Sequence, residues 1–311
     1  MGGALADGRG VLEATLPLLL GTVIILTGAL MTTGSGERRA AGFAVTLTSM
    51  GCPWLVPGEH SLLRAIYGLI ATVGCARVAD LCRGDWSIRS RLQHVTSPVD
   101  SRTLVRAPRR IDEARLGAGL GWLVLALAAG GFLYSQARTL TVAYWALRWV
   151  AGAIGVYAAI EAGYALAHVG YSAVGLEPPP LHVAPILSRS VQELWGQRWA
   201  RPVSRWLGDF VFRPLARRRR PALGALLAFG GSAAFHAYGA WVGLGLVEGI
   251  PMAACVLTYF LVQAVVIAME RWLGVRKWEP WAGHVWTVGW MIVTAPLFVE
   301  PAAEVILRGS R

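Results

Sequence analysis

The stretch VLEATLPLLLGTVIILTGALM, residues 11–31, is a mostly apolar run with one charged side chain, Glu13. A helix needs about 20 apolar residues to cross the roughly 30 Å hydrocarbon core of a bilayer. No convincing small-residue cleavage site follows, so we interpret the stretch as a membrane-spanning helix and not as a removed signal peptide. It predicts that the chain is a helical membrane protein.

Seven further apolar runs follow along the chain. Their bounds are Ala40–Pro57, Ser61–Leu81, Leu116–Ser135, Thr141–Gly170, Pro221–Val247, Ile250–Glu270 and Ala282–Val299. The first of these is the least regular, because Pro53 and Pro57 interrupt it, and a re-entrant or tilted segment would also fit there. We predict an all-α polytopic integral membrane protein with about eight transmembrane helices, a cytoplasmic amphipathic or re-entrant helix, and a single domain over residues 1–311.

The composition agrees with this prediction. Hydrophobic residues make up 55% of the chain, charged residues make up 15%, and the mean hydropathy is +0.50, which is unusual for a soluble globular protein. The net charge of +11 comes almost entirely from arginine, since Lys277 is the single lysine. A basic chain can indicate a nucleic-acid partner, but these arginines stand where apolar runs end. Membrane topology explains them better, and we expect no nucleic-acid partner.

The distribution of arginine also predicts the orientation. Basic residues collect after the first, third, fifth and seventh runs, at residues 38–39, 83–115, 189–220 and 271–277, and the other connections are short and nearly uncharged. Because cytoplasmic loops are enriched in arginine and lysine, the N-terminus is predicted outside and the Arg-rich loops in the cytoplasm. The absence of asparagine fits a GC-rich bacterial genome, which favours a bacterial cytoplasmic membrane. The four cysteines show no zinc-ligand spacing, so we expect no metal site.

The connection after the fifth run carries a distinctive segment, EPPPLHVAPILSRSVQELWGQRW, at residues 177–199. Its prolines predict an extended stretch of chain, and the pair Ser190 and Glu193 after it forms a capping box that should begin a helix. Apolar residues then recur at three- and four-residue intervals with arginines between them. This pattern predicts an amphipathic helix at the cytoplasmic interface, bent near Pro202, whose simplest role is an interfacial anchor.

The sixth run contains His236, an ionisable residue well inside an apolar stretch. Such residues are functional candidates, because a polar group at membrane depth is costly. A neutral imidazole can act as a general base, although a structural hydrogen bond between helices is an equally good interpretation. Ser232 lies four residues earlier on the same helix face, where packing is the more ordinary role.

Taken in order, Ser190-x-x-Glu193-Leu-Trp-Gly-x-Arg-Trp199, then a basic connection, then the intramembrane Ser232-x-x-x-His236 resembles the membrane-bound O-acyltransferase (MBOAT) superfamily, and within it the wax-synthase-like branch. The detailed resemblance covers about residues 178–238. Two positions depart from the family pattern. Leu194 stands where the family usually has phenylalanine, and Ala200 stands where many members have asparagine or histidine.

The resemblance implies transfer of an acyl group from acyl-CoA to the hydroxyl of a lipophilic alcohol, as in wax-ester, terpenoid or sterol acylation. His236 would be the catalytic general base. The resemblance implies acyl-CoA as co-substrate with no permanently bound cofactor, and membrane lipid as a further partner. The residues that would bind substrate or acyl-CoA are Trp195, Gln197, Arg198, Trp199, Arg201, Arg205 and Ser232. The arginines suit the phosphates of CoA, and the tryptophans suit its pantetheine or acyl portion.

Several alternatives stay open from the sequence. With alanine at position 200, His236 lacks the family's motif partner, and Gln263 or Glu270 could replace it. Glu161 and His168 share a face of the fifth span and could line a cavity or form a structural pair. The alternative function is a non-enzymatic membrane protein, a transporter or scaffold, in which His236 is structural.

Glycines recur at a spacing typical of helix packing, as in Gly117-x-x-x-Gly121 and Gly239-x-x-x-Gly243. Both pairs predict close contact between helices. Glycine-rich helix faces also permit a homo-oligomer.

Overall fold

The computed structural model describes residues 8–135 and 142–308, and this part of the chain is mostly helical. The helices are α1 Gly8–Met31, α2 Gly36–Thr48, α3 Ser61–Leu81, α4 Ile88–Thr96, α5 Glu113–Ser135, α6 Val142–Ala173, α7 Val191–Glu193, α8 Arg201–Leu207, α9 Arg213–Arg217, α10 Pro221–Leu244, α11 Leu246–Leu273, α12 Pro280–Thr294 and α13 Pro296–Arg308. Two short strands, β1 Val105–Arg106 and β2 Leu176–Glu177, pair antiparallel. The prediction of an all-α protein is confirmed at this level.

Five of the described helices are long and apolar enough to cross a membrane. They are Leu12–Met31 of α1, α3, α5, Tyr144–Ala173 of α6, and α11. The bent pair of α12 and α13 would raise the count to six if it forms one span. Large apolar side chains on these helices are exposed, among them Val124, Leu127 and Val265, which is typical of surfaces that face lipid. The chain therefore has the character of a helical membrane protein, with fewer clear spans than the eight that we predicted.

The predicted second span, Ala40–Pro57, does not form one helix. α2 ends at Thr48, and a 3₁₀ turn follows over Ser49–Leu55, with Pro53 inside it. At about 1.5 Å per residue, α2 alone is too short for a bilayer core of roughly 30 Å.

The last predicted span, Ala282–Val299, is also divided. α12 ends at Thr294, α13 begins at Pro296, and the two helices are bent by 44°. Proline cannot donate a backbone hydrogen bond and clashes with the preceding turn, so a break at Pro296 is expected. The predicted fifth span agrees with α6, although its first residue, Thr141, lies outside the described residues.

The sixth predicted span is close to α10, which covers 24 residues. That length is sufficient for a crossing, but α10 is not one of the five helices that meet the hydropathy criterion for a membrane span. Gly245 separates α10 from α11 with φ +87°, a conformation that glycine adopts without steric cost. The turn between these two long helices therefore depends on a residue without a side chain.

Residue contacts divide the chain into two compact units. The first contains Met1–Arg102, Phe235–Ala253 and Glu304–Arg311, and the second contains Thr103–Ala234 and Ala254–Ala303. α10 contributes to both units, because the boundary falls between Ala234 and Phe235. The single domain over residues 1–311 stays a prediction.

The first unit has a core between α1 and α3. Ile25, Ala29, Val78 and Leu81 are buried there, with Phe43, Trp86 and Val95 packed around them. α1 and α2 cross closely at Gly28, since a Cβ atom on this residue would lie 2.5 Å from the Gly42 carbonyl oxygen and would collide with Thr46. Ala65, Leu244 and Val305 form a second cluster, where the Ser61 hydroxyl donates a 2.7 Å hydrogen bond to the Val305 carbonyl.

The second unit contains the α5 and α6 helix pair. These helices approach at Gly119, where a Cβ atom would lie 3.1 Å from the Ala165 Cβ. Arg148 of α6 is buried and forms an ion pair with Glu300 of α13 at 2.8 Å, and Trp149 Nε1 donates to the same carboxylate. Arg148 therefore bridges helices, one of the roles that its position inside an apolar run allows.

The two glycine pairs behave differently. Cβ atoms on Gly239 and Gly243 would lie 3.3 Å and 3.1 Å from neighbouring side chains, which agrees with close helix contact. Gly117 and Gly121 are exposed, and a Cβ atom on either would meet open space. The prediction of close packing within the chain is wrong for Gly117 and Gly121, because the buried glycine of that segment is Gly119.

Candidate functional site

The segment between α6 and α10 is not the single amphipathic helix that periodicity predicts. It is a series of short helical pieces: α7, a π-helical turn over Leu194–Arg198, α8, a second π-helical turn over Gly208–Phe212, and α9. The chain breaks at Ala200, where φ is +39°, and not at Pro202. Pro202 is instead tolerated in the first turn of α8, where its missing N–H is not needed.

The start of this segment confirms half of the predicted capping box. The Ser190 hydroxyl accepts a 2.9 Å hydrogen bond from the Glu193 backbone N–H, as an N-cap serine should. The Glu193 side chain does not return the bond to Ser190. It accepts 2.8 Å from the Arg189 N–H and 2.7 Å from Arg198 Nε. Burial alone would raise the pKa of the Glu193 carboxyl, but these hydrogen bonds and the charge of Arg198 lower it below its usual value.

A buried carboxylate from α11 binds the same helix start. Glu270 accepts hydrogen bonds from the backbone N–H groups of Val191 at 2.6 Å and Gln192 at 3.0 Å, and from Trp286 Nε1 at 3.1 Å. The first N–H groups of a helix have no partner within the helix, and a negative charge is favourable there. Glu270 therefore connects α11, α12 and the start of α7.

A second buried polar side chain of α11 holds Trp195. Gln263 is fully buried, accepts from Trp195 Nε1 at 3.3 Å and donates to the Thr294 hydroxyl at 3.0 Å. The Trp195 ring also lies 5.8–6.2 Å, centroid to centroid, from an aromatic cluster formed by Trp199, Phe229, Tyr259 and Phe260. Edge-to-face contacts of this kind fix ring orientation in addition to burying area.

Arg198 is engaged within the segment. Besides the Glu193 bond, its Nη1 donates to the carbonyl oxygens of Val183 at 3.2 Å and Ala184 at 3.3 Å. The backbone reinforces this contact, because the Val183 N–H donates 2.9 Å to the Arg198 carbonyl. Arg198 thus ties the proline-rich stretch to the π-helical turn, which leaves Nη2 as its remaining donor nitrogen for any other group.

The proline-rich stretch before Ser190 also carries His182, which the sequence reasoning missed. Its Nδ1 lies 2.6 Å from the Glu161 carboxylate of α6, and its ring lies 4.3 Å from Trp199 and 5.8 Å from Tyr157, centroid to centroid. The His182 side chain is 4% exposed. A glutamate inside an apolar helix needs a partner, and that requirement was the available signal.

Glu161 therefore pairs with His182 and not with His168. His168 is buried and lies 3.2 Å from the Ser172 hydroxyl through its Nδ1. Among the described residues, no group of three His, Cys, Asp or Glu side chains is placed to hold a metal ion.

The remaining predicted site residues are distributed along this region. Gln197 and Arg205 are exposed and Arg201 is half-buried, while Ser232 is buried on α10 within the second unit. His236 is half-buried on α10, and it belongs to the first unit. The structure thus brings Trp195, Arg198 and Trp199 together in the second unit and assigns the predicted catalytic histidine to the first.

Ala200 combines an unusual sequence position with an unusual backbone. Its φ of +39° and ψ of +49° are in the left-handed region, which asparagine and glycine tolerate better than alanine. The backbone at this break therefore suits glycine or asparagine better than the alanine that stands there.

Comparison of the sequence with models of known protein families finds no match, and comparison with curated proteins finds none either.

Proposed function

We propose that the chain is a membrane-embedded O-acyltransferase of the MBOAT type, which transfers an acyl group from acyl-CoA to the hydroxyl of a lipophilic alcohol. The proposal starts from the motif Ser190 to Trp199 and the intramembrane His236 that follows it. No cofactor is permanently bound in this reaction.

The observation that carries the proposal is the way α11 holds the motif. Gln263 and Glu270 are both buried in an apolar helix, where unpaired polar groups are costly. Both are hydrogen-bonded to the motif, one through Trp195 and the other through the backbone of Val191 and Gln192. A binding site needs side chains held in fixed positions by such supporting bonds, whereas an interfacial anchor does not.

In the proposed reaction His236 accepts the proton of the alcohol as its oxygen attacks the thioester carbonyl. The carbon–sulfur bond then breaks, the ester is released, and the proton leaves with the CoA thiol. Arg201 and Arg205 are better placed than Arg198 to meet the CoA phosphates, because Arg198 already donates to Glu193 and two carbonyl groups. Trp195 and Trp199 would contact the pantetheine or acyl portion, as would Gln197 between them, and Ser232 would contribute from α10, four residues before His236.

The membrane arrangement belongs to the same proposal. The eight crossings would combine the five clear spans with the divided segments around α2 and α12–α13 and with α10. The N-terminus would be outside and the Arg-rich loops in the cytoplasm of a bacterium. Cysteine labelling from each side of sealed vesicles tests this topology. Loops 83–115 and 189–220 should be labelled from the cytoplasmic side, and equal labelling of these loops from the outer side would contradict the topology.

Ester formation tests the activity. The purified protein in nanodiscs is incubated with acyl-CoAs from acetyl to palmitoyl and with fatty, sterol and terpenoid alcohols, and esters and free CoA are measured by mass spectrometry. His236→Ala should lower the rate by about 10²–10⁴-fold, the usual contribution of a general base.

His60→Ala is the matched control, because His60 lies before α3 in a short connection and should leave the rate unchanged. Equal ester formation by wild type and His236→Ala would remove His236 from the mechanism. No ester from folded wild-type protein would favour a non-enzymatic membrane protein.

A further inference from the structure

A second group of chemically competent side chains lies in the first unit, at the end of α3. The Ser101 hydroxyl is 2.9 Å from His94 Nδ1, and His94 Nε2 is 3.2 Å from the Asp80 carboxylate. The three residues come from the connection after α4, from α4 and from α3. A serine, a histidine and an aspartate in hydrogen-bonded series have the arrangement that activates a serine nucleophile.

The hydrogen bonds determine which ring nitrogen of His94 can act as the base. Arg102 Nη2 forms an ion pair with Asp80 at 2.9 Å, and a carboxylate has no hydrogen to donate. The hydrogen between His94 and Asp80 must therefore be on Nε2. In the neutral ring, Nδ1 then carries the lone pair, and it faces the Ser101 hydroxyl.

The ring of His94 is shielded by an aromatic side chain and lies beside a second carboxylate. His94 is fully buried against Trp86, with ring centroids 4.8 Å apart. A second carboxylate, Asp100, lies 3.8 Å from Nδ1. Burial alone would raise the pKa of Asp100, but hydrogen bonds and charge from Arg102, with the charge of Arg77, lower it below its usual value. Asp100 is thus ionised near neutral pH, and it stabilises the positive charge that forms on the ring.

The nucleophile is more accessible than the base. Ser101 is half-buried, whereas Asp80 and His94 are buried. The proposed nucleophile is therefore on the most exposed of the three residues, while the base and its carboxylate stay shielded from water.

We propose that Ser101, His94 and Asp80 form a second catalytic site, which hydrolyses carboxylic esters or thioesters by way of an acyl-serine. Ser101 Oγ bonds to the acyl carbon, the bond to the alcohol or thiol breaks, and His94 passes the serine proton to that leaving group. Water then attacks the acyl-serine, with His94 taking its proton and returning it to Ser101. The products are a carboxylic acid and an alcohol or thiol.

A fluorophosphonate probe tests the site on the full chain in detergent. The reaction joins Ser101 Oγ to phosphorus and expels fluoride, with the serine proton taken by His94. We expect peptide mapping of the wild-type protein to place one adduct on Ser101. Folded wild-type protein without an adduct on Ser101 would overturn the proposal, and this outcome needs no variant.

Variants then separate a reactive serine from an exposed one. His94→Gln should slow labelling by at least about a hundredfold, since the base is lost. Ser90→Ala is the matched control, because Ser90 lies in the same region but bonds to Ser87 and not to a histidine. An undiminished labelling rate in folded His94→Gln would assign the cluster a structural role.

Turnover completes the test. The wild-type protein should hydrolyse p-nitrophenyl butyrate, and Ser101→Ala should abolish this hydrolysis while leaving acyl transfer by the His236 site unchanged. Conversely, His236→Ala should retain the Ser101 adduct, so failure of one site is distinguishable from failure of the other. Ester hydrolysis by Ser101→Ala at the wild-type rate would contradict the assignment.

Discussion

The buried carboxylate of Glu270 gives the sharpest prediction for the motif. Its Oε1 accepts from the Val191 N–H and from Trp286 Nε1, and its Oε2 accepts from the Gln192 N–H. Glu270→Gln preserves the shape but replaces one acceptor oxygen with an NH₂ group. If the amide oxygen keeps the two bonds of Oε1, the amide nitrogen faces the Gln192 N–H, and this part-buried donor loses its acceptor. Such a loss costs about 1–3 kcal/mol.

This cost should appear as local opening of the motif. Because 1.4 kcal/mol corresponds to a tenfold change in an equilibrium constant, amides of residues 190–199 should exchange about 5- to 150-fold faster in Glu270→Gln. Hydrogen exchange followed by mass spectrometry measures this rate in detergent or nanodiscs. The control is Glu300→Gln, which alters the ion pair with Arg148 in the same unit and should leave this peptide unchanged. If the amides of residues 190–199 exchanged at the wild-type rate in Glu270→Gln, the role that we assign to the carboxylate would be refuted.

Three further predictions concern the backbone, pH and helix packing. Ala200→Gly and Ala200→Asn should both raise the melting temperature in detergent by about 2–4 °C, because relief of the left-handed alanine is worth about 1 kcal/mol; ester formation that rises with asparagine alone would indicate a missing polar partner. Hydrogen bonds lower the native pKa of Glu193, so its stabilising contribution is present above the unfolded pKa of about 4.3 and is lost as the pH falls through the lower native pKa. The difference in melting temperature between wild type and Glu193→Gln should thus be constant near neutral pH and shrink only below that value, and a difference that shrinks between pH 8 and 6 would contradict this. Gly28→Ala should destabilise the protein by about 1–3 kcal/mol, because the new methyl collides with the Gly42 carbonyl, whereas Gly117→Ala meets open space and should melt like wild type.

The long apolar helices were predictable from the sequence because the signal for each is contained within its own residues. A run of about 20 apolar residues identifies α1, α3, α5, α6 and α11 without knowledge of their neighbours. The same criterion failed where proline divides a run. Pro296 stands inside the predicted span 282–299, and α13 begins there. A proline predicts such a break, but the continuous apolar pattern favours a single span.

The candidate site shows the same division between local and distant interactions. The N-cap at Ser190 was predictable, because the serine and its partner N–H lie three residues apart. The bonds from Glu270 to Val191 and from Gln263 to Trp195 join residues that are 79 and 68 positions apart. The seventh apolar run placed Gln263 and Glu270 on one predicted helix as candidates, but only the folded chain determines which groups they meet.

The polar residues of the apolar helices therefore fall into two classes, those that position other groups and those that would take part in the reaction. Glu270 and Gln263 are buried and hydrogen-bonded to the motif, so each acts on the site by positioning other groups. Their loss should lower ester formation together with hydrogen-exchange protection of residues 190–199. A catalytic base behaves differently, because His236→Ala should lower ester formation by about 10²–10⁴-fold while this protection stays at the wild-type level. Measuring both quantities on the same set of variants thus distinguishes a positioning residue from a catalytic one, which loss of activity alone would not do.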